Sequence, residues 1–256
     1  MDHPATEAPR AALITGAARR IGRAIAQALS RQGYAVVLHA NRSRDEAAAV
    51  AAAIVRDGGR AAVVTGDLAD AAAVSRIVPA AAAQFGALTL LVNNASLFDE
   101  DDAATMTRAT FERTLAVNLT APLFLAQAFA AQAPREASSS IVNIVDQRVL
   151  RPTPKFFSYA LSKSALHDAT TTLAQSLAPV RVNGVAPGPT LPSPRQNETQ
   201  FAEQAALMPL GRGPSPEEIA AAVIYLAGAA SVTGVTIAVD GGQHLAWKTP
   251  DADLPE

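Results

Sequence analysis

Three residues in the middle of the chain have the types and the spacing to move a proton. Asp146 directly follows the apolar run at residues 141–145, which is typical of a buried strand. Tyr159 and Lys163 lie four positions apart, so a helix would place both side chains on one face. Because a nearby ammonium favours the phenolate, the pair predicts a tyrosine with a lowered pKa, tuned by the lysine. The sequence therefore predicts a catalytic set of Asp146, Tyr159 and Lys163.

The segments that must position this set alternate between short apolar runs and longer alanine-rich stretches. The predicted strands cover residues 12–15, 35–39, 61–65, 88–92, 141–145, 180–185 and 235–239. The predicted helices cover residues 21–31, 45–56, 71–85, 111–131, 159–178 and 216–226. Strands that are continuously apolar, each followed by a helix, favour an α/β fold: a doubly wound parallel sheet with helices on both faces.

The same alternation predicts a single domain at residues 10–248, between a flexible N-terminus (1–9) and a C-terminal tail (249–256). Residues 186–200 contain too many proline and polar residues for a regular element. We expect them to begin a substrate loop at about residues 186–214 that covers the site.

Composition excludes several classes of function. The net charge of −2 gives no electrostatic footprint for nucleic acid. The chain has no cysteine, and its four histidines show no metal-ligand spacing, so no metal site is expected. We see neither a signal-peptide core nor an apolar run near the ~20 residues that span a bilayer. The expectation is a soluble cytoplasmic protein without a membrane or nucleic-acid partner.

A nucleotide site is indicated by the residues that follow the first strand. Ligands of doubly wound sheets bind beyond the carboxyl ends of the strands. The stretch TGAARRIG places Gly16 at a tight turn and Gly22 where a helix packs closely. The N–H groups and the positive dipole end of that helix suit a pyrophosphate. Two glycines at such a turn are also common for purely structural reasons.

The residues after the second and third strands favour NADP. No acid lies between Tyr34 and Arg44, whereas Arg42 stands beside Ser43. An arginine at this place accommodates a 2′-phosphate, although a solvated loop arginine is an alternative. Asp67 and Leu68 follow the third strand and are placed to meet adenine, but Asp67 could equally cap a helix.

The fourth strand is followed by NNAS, whose small and amide side chains allow a cofactor to come close. Phe98 comes next and could stack on a flat ligand or simply fill the loop. The predicted cofactor-binding residues are Gly16, Arg20, Ile21, Gly22, His39, Asn41, Arg42, Ser43, Asp67, Leu68, Asn94, Ala95, Ser96, Tyr159, Lys163, Pro187, Gly188 and Thr190.

Taken together, TGAARRIG, NNAS, Val117–Asn118, YALSK, RVNGVAPG and VDGG resemble the motifs of the short-chain dehydrogenase/reductase family over about residues 10–245. The resemblance implies a seven-stranded Rossmann-like sheet and a homotetramer. It also implies hydride transfer with a nicotinamide cofactor, and a water held by Asn118 in the proton relay.

Three departures from the common family pattern resemble its pteridine reductase branch. They are Arg20 in place of a glycine, Ser96 in place of a glycine, and Asp146 in place of a serine. The branch reduces dihydropterins, and some members reduce dihydrofolate. By matching position, Phe98 would stack on the pterin, Arg20 and Ser96 would hold its polar atoms and the cofactor phosphates, and Thr190 would meet the carboxamide.

Of these three departures, Asp146 says most about the substrate. A ketone substrate needs a hydrogen-bond donor there, and an ionised carboxylate only accepts. A pterin carries N–H and amino donors and a reducible C=N bond, so the predicted substrate residues are Arg20, Ser96, Phe98, Asp146 and Tyr159. Asp146 could instead only cap the following turn.

Other functions stay open from the sequence. Reduction of another carbonyl or imine substrate is one alternative, and a non-catalytic NADP-binding protein is another. The acidic run at residues 99–102 is typical of a solvated loop; facing the pocket, it would disfavour the glutamate tail of a folate.

Overall fold

Seven parallel strands form one sheet, in the order β3-β2-β1-β4-β5-β6-β7. The computed structural model describes residues 10–134, 138–193 and 195–247, so the predicted terminal segments at 1–9 and 249–256 lie outside the described residues. The strands are β1 (Ala11–Ile14), β2 (Ala35–Ala40), β3 (Arg60–Thr65), β4 (Leu90–Asn93), β5 (Ser140–Ile144), β6 (Arg181–Pro187) and β7 (Thr236–Val239). The predicted doubly wound, seven-stranded Rossmann-like fold is confirmed.

Helices cover both faces of this sheet. They are α1 (Arg20–Arg31), α2 (Arg44–Arg56), α3 (Ala71–Phe85), α4 (Arg108–Leu115), α5 (Ala121–Gln132), α6 (Phe157–Ser176), α7 (Glu198–Ala206) and α8 (Pro216–Gly228). Short 3-10 turns occur at Gln147–Val149 and Gln243–Leu245.

Each face of the sheet packs against its own apolar cluster. On one face, α1 and α8 contribute Ile25 and Val223; on the other, α3 and α5 contribute Ile77 and Phe129. Every residue of β1 and β2 is buried between these clusters. This burial on two faces explains why the strands are continuously apolar instead of alternating.

The order of the strands creates the place for a ligand. The chain runs from β1 outwards to β3 and then returns to β4 on the other side of β1. Helices leave in opposite directions at this point, which opens a crevice beyond the carboxyl ends of β1 and β4.

One predicted helix, at residues 111–131, differs from the structure. It begins earlier, at Arg108, and a π turn (Ala116–Thr120) separates α4 from α5. The Ala121 N–H donates to the Ala116 carbonyl five positions back, which widens the helix around Asn118. Such π turns often occur at functional sites.

The prediction that residues 186–200 contain no element was wrong at both ends, because β6 continues to Pro187 and α7 begins at Glu198. Asn197 Oδ1 accepts from the Gln200 N–H at 2.8 Å, and Gln200 Oε1 accepts from the Asn197 N–H at 3.1 Å. This reciprocal capping box starts the helix, and the N-x-x-Q spacing could have revealed it.

The helical stretch Arg108–Gln132 is long and apolar enough, by length and composition alone, to cross a membrane. Its residues Leu125, Ala126 and Phe129 are buried in the core of the sheet's second face. A core helix of a globular domain meets the same criterion.

Candidate active site

A cavity of about 770 Å³ lies beyond the carboxyl ends of the strands. All predicted site residues line it except Arg42, Ser43 and Asn118. Ser43 is the N-cap of α2, and Asn118 is fully buried behind the cavity wall. The fold thus gathers residues from six strand ends into one place.

The glycine-rich turn is shaped by contacts that leave no room for a side chain. Gly16 has φ +65°, and a Cβ there would lie 2.9 Å from the Cα of Ala95. A Cβ on Gly22 would lie 2.3 Å from the Gly16 carbonyl oxygen. The Asn94 amide donates to the carbonyls of Thr15 and Gly16, at 2.9 and 3.2 Å. Both glycines are therefore required by packing as well as by the turn.

The N-terminus of α1 fits a diphosphate. The first internal bond of the helix runs from the Arg23 N–H to the Arg19 carbonyl, so the N–H groups of Arg20, Ile21 and Gly22 have no intrahelical acceptor. These residues line the cavity, and the first turn of α1 contains no acid. Free N–H groups and the positive end of the helix dipole suit an anion.

His39 links the glycine-rich turn to the end of β3. The Gly16 N–H donates to Nδ1 at 3.5 Å, and Nε2 lies 3.0 Å from the Gly66 carbonyl oxygen, to which it donates in the matching tautomer. Burial lowers the pKa of His39, which favours the neutral ring that this pattern requires. His39 is thus a structural link as well as a cavity residue.

Asp67 both stabilises its own loop and lines the cavity. Its Oδ1 accepts from the Ala69 N–H at 2.9 Å, and its Oδ2 pairs with Arg113 at 3.2 Å. The Ala69 hydrogen bond and the Arg113 guanidinium both lower the pKa of Asp67. Arg113, on α4, and Arg19, which pairs with Glu46, also line the cavity and were missed by the sequence analysis. Arg19 stood within the glycine motif, whereas Arg113 had no sequence signal.

Asp146 and Tyr159 are in direct contact. The Tyr159 hydroxyl donates to Asp146 Oδ2 at 2.7 Å. Asp146 Oδ1 also accepts from the Arg148 N–H at 2.8 Å, so the aspartate caps the turn after β5 as well. The Arg148 guanidinium lies 3.2 Å from Asp146 Oδ2 and forms an ion pair with it. Arg148, two positions after Asp146, was not predicted as a site residue.

The predicted direction of the Tyr159 pKa was wrong. Burial raises the pKa of Tyr159 well above its usual value, and the charge and hydrogen bond of Asp146 raise it further. The ammonium of Lys163 lies 5.9 Å from the centre of the tyrosine ring. At neutral pH the phenol therefore keeps its proton, which it shares with Asp146.

Lys163 is buried beneath the tyrosine. Its ammonium donates to the Ile144 carbonyl at 2.7 Å, at the end of β5. Burial lowers the pKa of Lys163 from 10.5 to about 8, opposed by the charge of Asp146.

Asn118 connects two parts of the site from behind. Its side-chain amide exchanges hydrogen bonds with the backbone of Leu97, at 2.8 and 2.9 Å, and donates to Ser162 Oγ at 3.0 Å. The side chain therefore holds the loop after β4 against α6, the helix that carries Tyr159 and Lys163.

Phe98 has an aromatic partner that the sequence analysis missed. The rings of Phe98 and Phe156 are parallel within 8°, with centroids 4.2 Å apart, and the Tyr159 ring stands at 78° to Phe98. The guanidinium carbons of Arg148 and Arg195 lie 5.1 to 5.5 Å from both ring centres. Because each is nearly equidistant from the two rings, the arginines flank the stacked pair.

The substrate loop is attached to the site by two arginines. Arg20 donates to the carbonyls of Pro192 and Leu191, at 2.7 and 3.1 Å. Arg195 donates to the Phe98 carbonyl at 3.1 Å. Arg20 was predicted to hold ligand atoms; in the structure its guanidinium also holds this loop.

The acidic run has a structural role that its composition did not indicate. Asp101 is buried, and its carboxylate accepts from the N–H of Ser158 at 3.1 Å and from the Ser158 hydroxyl. Its carbonyl accepts from the Phe157 N–H at 3.2 Å. Asp101 thus caps α6 from a distant loop. Asp99 alone of this run lines the cavity.

Comparison with known proteins places the chain among reductases. A family model described as enoyl-(acyl carrier protein) reductase matches residues 16–244. FolM alternative dihydrofolate reductase 1 from Brucella canis, crystallised with NADP, is 48% identical; the match covers 96% of this chain and 98% of that one, with a TM-score of 0.92. Pteridine reductase 1 from Leishmania tarentolae is 34% identical, and the match covers 91% of this chain and 96% of that protein. A 3-oxoacyl-(acyl-carrier-protein) reductase from Synechocystis is 33% identical over 237 residues, covering 90% and 95%.

Proposed function

The chain belongs to the short-chain dehydrogenase/reductase family and is an NADP-dependent oxidoreductase; from this premise we propose that it reduces the C=N bond of a dihydropterin. The observation that carries the proposal is the hydrogen bond from the Tyr159 hydroxyl to Asp146. A carboxylate there accepts hydrogen bonds, whereas a ketone oxygen that gains negative charge needs donors. The N–H and amino groups of a pterin supply the donors that a carboxylate accepts.

The cofactor would be held at the glycine-rich turn and the N-terminus of α1. Asn94 and Gly188 line the same cavity and would lie beside it. When bound, NADPH supplies the hydride. The absence of an acid after β2 supports NADP, and Arg42 is the residue proposed for the 2′-phosphate.

The chain's own residues would handle the proton. Tyr159 Oη carries the proton for the ring nitrogen, because its raised pKa keeps the phenol protonated at neutral pH. Asp146 accepts from the phenol and is placed to accept from a pterin N–H as well. Lys163 lies beneath the ring, held by the Ile144 carbonyl. We propose that a water near Asn118 resupplies the proton, while the Asn118 side chain fixes the surrounding segments.

The aromatic pair supports a flat substrate. Phe98 and Phe156 cover each other's inner faces at 4.2 Å, so a planar heterocycle would stack on an outer face of this pair, beside Tyr159. The predicted effect of the acidic run on folate loses its basis, because one residue of the run, not four, lines the cavity. The names of the similar proteins from Brucella and Leishmania, a dihydrofolate reductase and a pteridine reductase, agree with a pterin-like substrate.

The test is the loss of NADPH absorbance with dihydromonapterin, dihydrobiopterin and dihydrofolate, beside a panel of ketones. We expect turnover of a dihydropterin, and its collapse in Asp146→Ser, which places a donor where the substrate needs an acceptor. Ketone turnover without dihydropterin turnover would instead favour a carbonyl reductase, as the name of the Synechocystis relative suggests.

We also propose a homotetramer assembled through two exposed apolar faces. Phe124 on α5 and Leu161 on α6 are 57% and 44% exposed. Tyr225 on α8 and Val235 before β7 are 57% and 42% exposed. Two separate self-complementary faces are what a tetramer with crossed twofold axes requires. Light scattering should give a tetramer, and a dimer for Phe124→Asp or Tyr225→Asp; a monomeric wild type would contradict the proposal.

A further inference from the structure

A second cavity of about 290 Å³ adjoins the catalytic one. Gln147 and Gln243 line both cavities and so stand at their junction. Each is the first residue of a short 3-10 turn, and the two turns pack against each other. Gln147 also directly follows Asp146, so the junction begins one residue from the proposed catalytic carboxylate.

Both glutamines have hydrogen-bonding capacity that the described part of the chain does not use. Gln147 is only 5% exposed, and its Oε1 accepts no hydrogen bond from any described residue. The Oε1 of Gln243 is buried and equally without a donor among those residues. A buried amide oxygen without a donor costs about 1–3 kcal/mol, so two of them at one junction point to a ligand that donates.

The second cavity is also lined by a hydrogen-bond donor. Arg151 lines this cavity, and its Nη1 is buried with no acceptor among the described residues. The remaining wall is formed by Pro152 and Thr153, by the segment after α7 at residues 207–209, and by Ala246. A ligand that fills this space would thus lie against Arg151 as well as the two glutamines.

We propose that Gln147 and Gln243 form a specificity subsite for a hydroxylated side chain at C6 of the dihydropterin. The inference rests on the proposed function. In a 7,8-dihydropterin the reducible bond joins C6 and N5, so a C6 substituent leaves from the carbon that receives the hydride. It therefore starts beside the Asp146–Tyr159 pair, where Gln147 stands.

The chemistry of the subsite favours hydroxyl groups over the aminobenzoyl-glutamate of a folate. A hydroxyl donates to an amide oxygen and accepts from Arg151 or an amide N–H. An aryl ring at the junction would leave both amide oxygens unpaired, and a carboxylate has no proton to donate to them. Arg151 could meet a carboxylate, so the glutamines, not the arginine, carry the discrimination.

The experiment compares kcat/KM for dihydromonapterin, 6-methyl-7,8-dihydropterin and dihydrofolate in wild type, Gln147→Met and Gln243→Met. Loss of one uncharged hydrogen bond predicts a fall of about tenfold for dihydromonapterin in each variant. The 6-methyl substrate lacks hydroxyls, and we expect its kcat/KM to stay within about twofold of wild type. Gln84→Met, an exposed amide on α3, is the matched control and should change neither value.

The outcomes separate this proposal from the proposed function. If the wild type reduces no dihydropterin, both the reductase function and the subsite are refuted. Dihydropterin reduction with equal losses for the hydroxylated and 6-methyl substrates, or with no loss in either variant, overturns the subsite and leaves the reductase function standing. A variant that improves dihydrofolate while losing dihydromonapterin supports the subsite directly.

Discussion

Replacement of Lys163 by methionine should change how the stability of the protein depends on pH. Lys163 is 2% exposed, and its ammonium donates a hydrogen bond to the Ile144 carbonyl. Burial lowers the pKa of Lys163 from 10.5 to about 8. Below about pH 8 the lysine carries its proton in the folded and the unfolded state, and the buried charge opposes folding.

The sign and size of the effect follow from this pKa difference. Between about pH 8 and 10.5 the unfolded state keeps the proton that the folded state has lost, so the free energy of unfolding rises with pH. At about 1.36 kcal/mol per pKa unit, the full gain is about 3 kcal/mol, of which about 2 kcal/mol develops between about pH 7 and 9.5. Lys163→Met lacks this contribution. It also lacks the buried charge, so at neutral pH we expect it to be no less stable than wild type, although it leaves the Ile144 carbonyl unpaired.

The assay is urea unfolding of the ligand-free protein, followed by circular dichroism across about pH 7 to 9.5, at one protein concentration. We expect wild type to gain about 2 kcal/mol relative to Lys163→Met over this range. Lys155→Met, at an exposed lysine outside the cavity lining, is the control and should run parallel to wild type. Parallel curves for wild type and Lys163→Met would refute the reasoning. Lys163→Met should also lower kcat at least about a hundredfold.

Three further outcomes are expected. Asp101→Ala should lower the free energy of unfolding by about 2 kcal/mol in urea melts and reduce kcat, because it removes the cap of α6, whereas Glu100→Ala, exposed next to it, should do neither. Gly22→Ala should abolish NADPH binding measured by fluorescence titration, since its Cβ would lie 2.3 Å from a backbone oxygen; Gly228→Ala, with nothing within 4 Å of its Cβ, should bind normally. Arg42→Asp should weaken NADPH binding about tenfold or more while NADH binding stays unchanged, and an unaltered NADPH affinity would contradict the 2′-phosphate assignment.

The central strands β1, β2 and β4 were predictable because every residue in them is buried. A parallel strand under two layers of helices is mostly apolar over its length, and this leaves a nearly continuous apolar run in the sequence. The glycine-rich turn was predictable for a related reason: Gly16 and Gly22 stand where any side chain would strike backbone atoms. Such constraints act on residue type locally, so they are visible without a structure.

Contacts between distant segments were not predictable in this way. Asp101 caps α6 from a loop far earlier in the chain, yet its sequence context is an ordinary acidic run. Phe156 follows a loop of proline and polar residues, and only the fold brings it to 4.2 Å from Phe98. The π turn around Asn118 has no compositional signature, and only the structure shows the hydrogen bond from Ala121 to Ala116 that defines it. The missed helix α7 did have a local signal, the capping box at Asn197 and Gln200.

The sequence by itself determined the doubly wound fold and the glycine-rich turn, because each depends on a local pattern of burial or backbone conformation. It also indicated the NADP cofactor, through Arg42 and the lack of an acid after the second strand. Only the tertiary structure decided the electrostatics of the site. Burial and the 2.7 Å contact with Asp146 raise the pKa of Tyr159, whereas the spacing to Lys163 alone had suggested a lowered value. The pKa of a group depends on how far it is buried from solvent and on the charges near it in space. Both are set by residues that are distant in the sequence, so local sequence patterns do not reveal them.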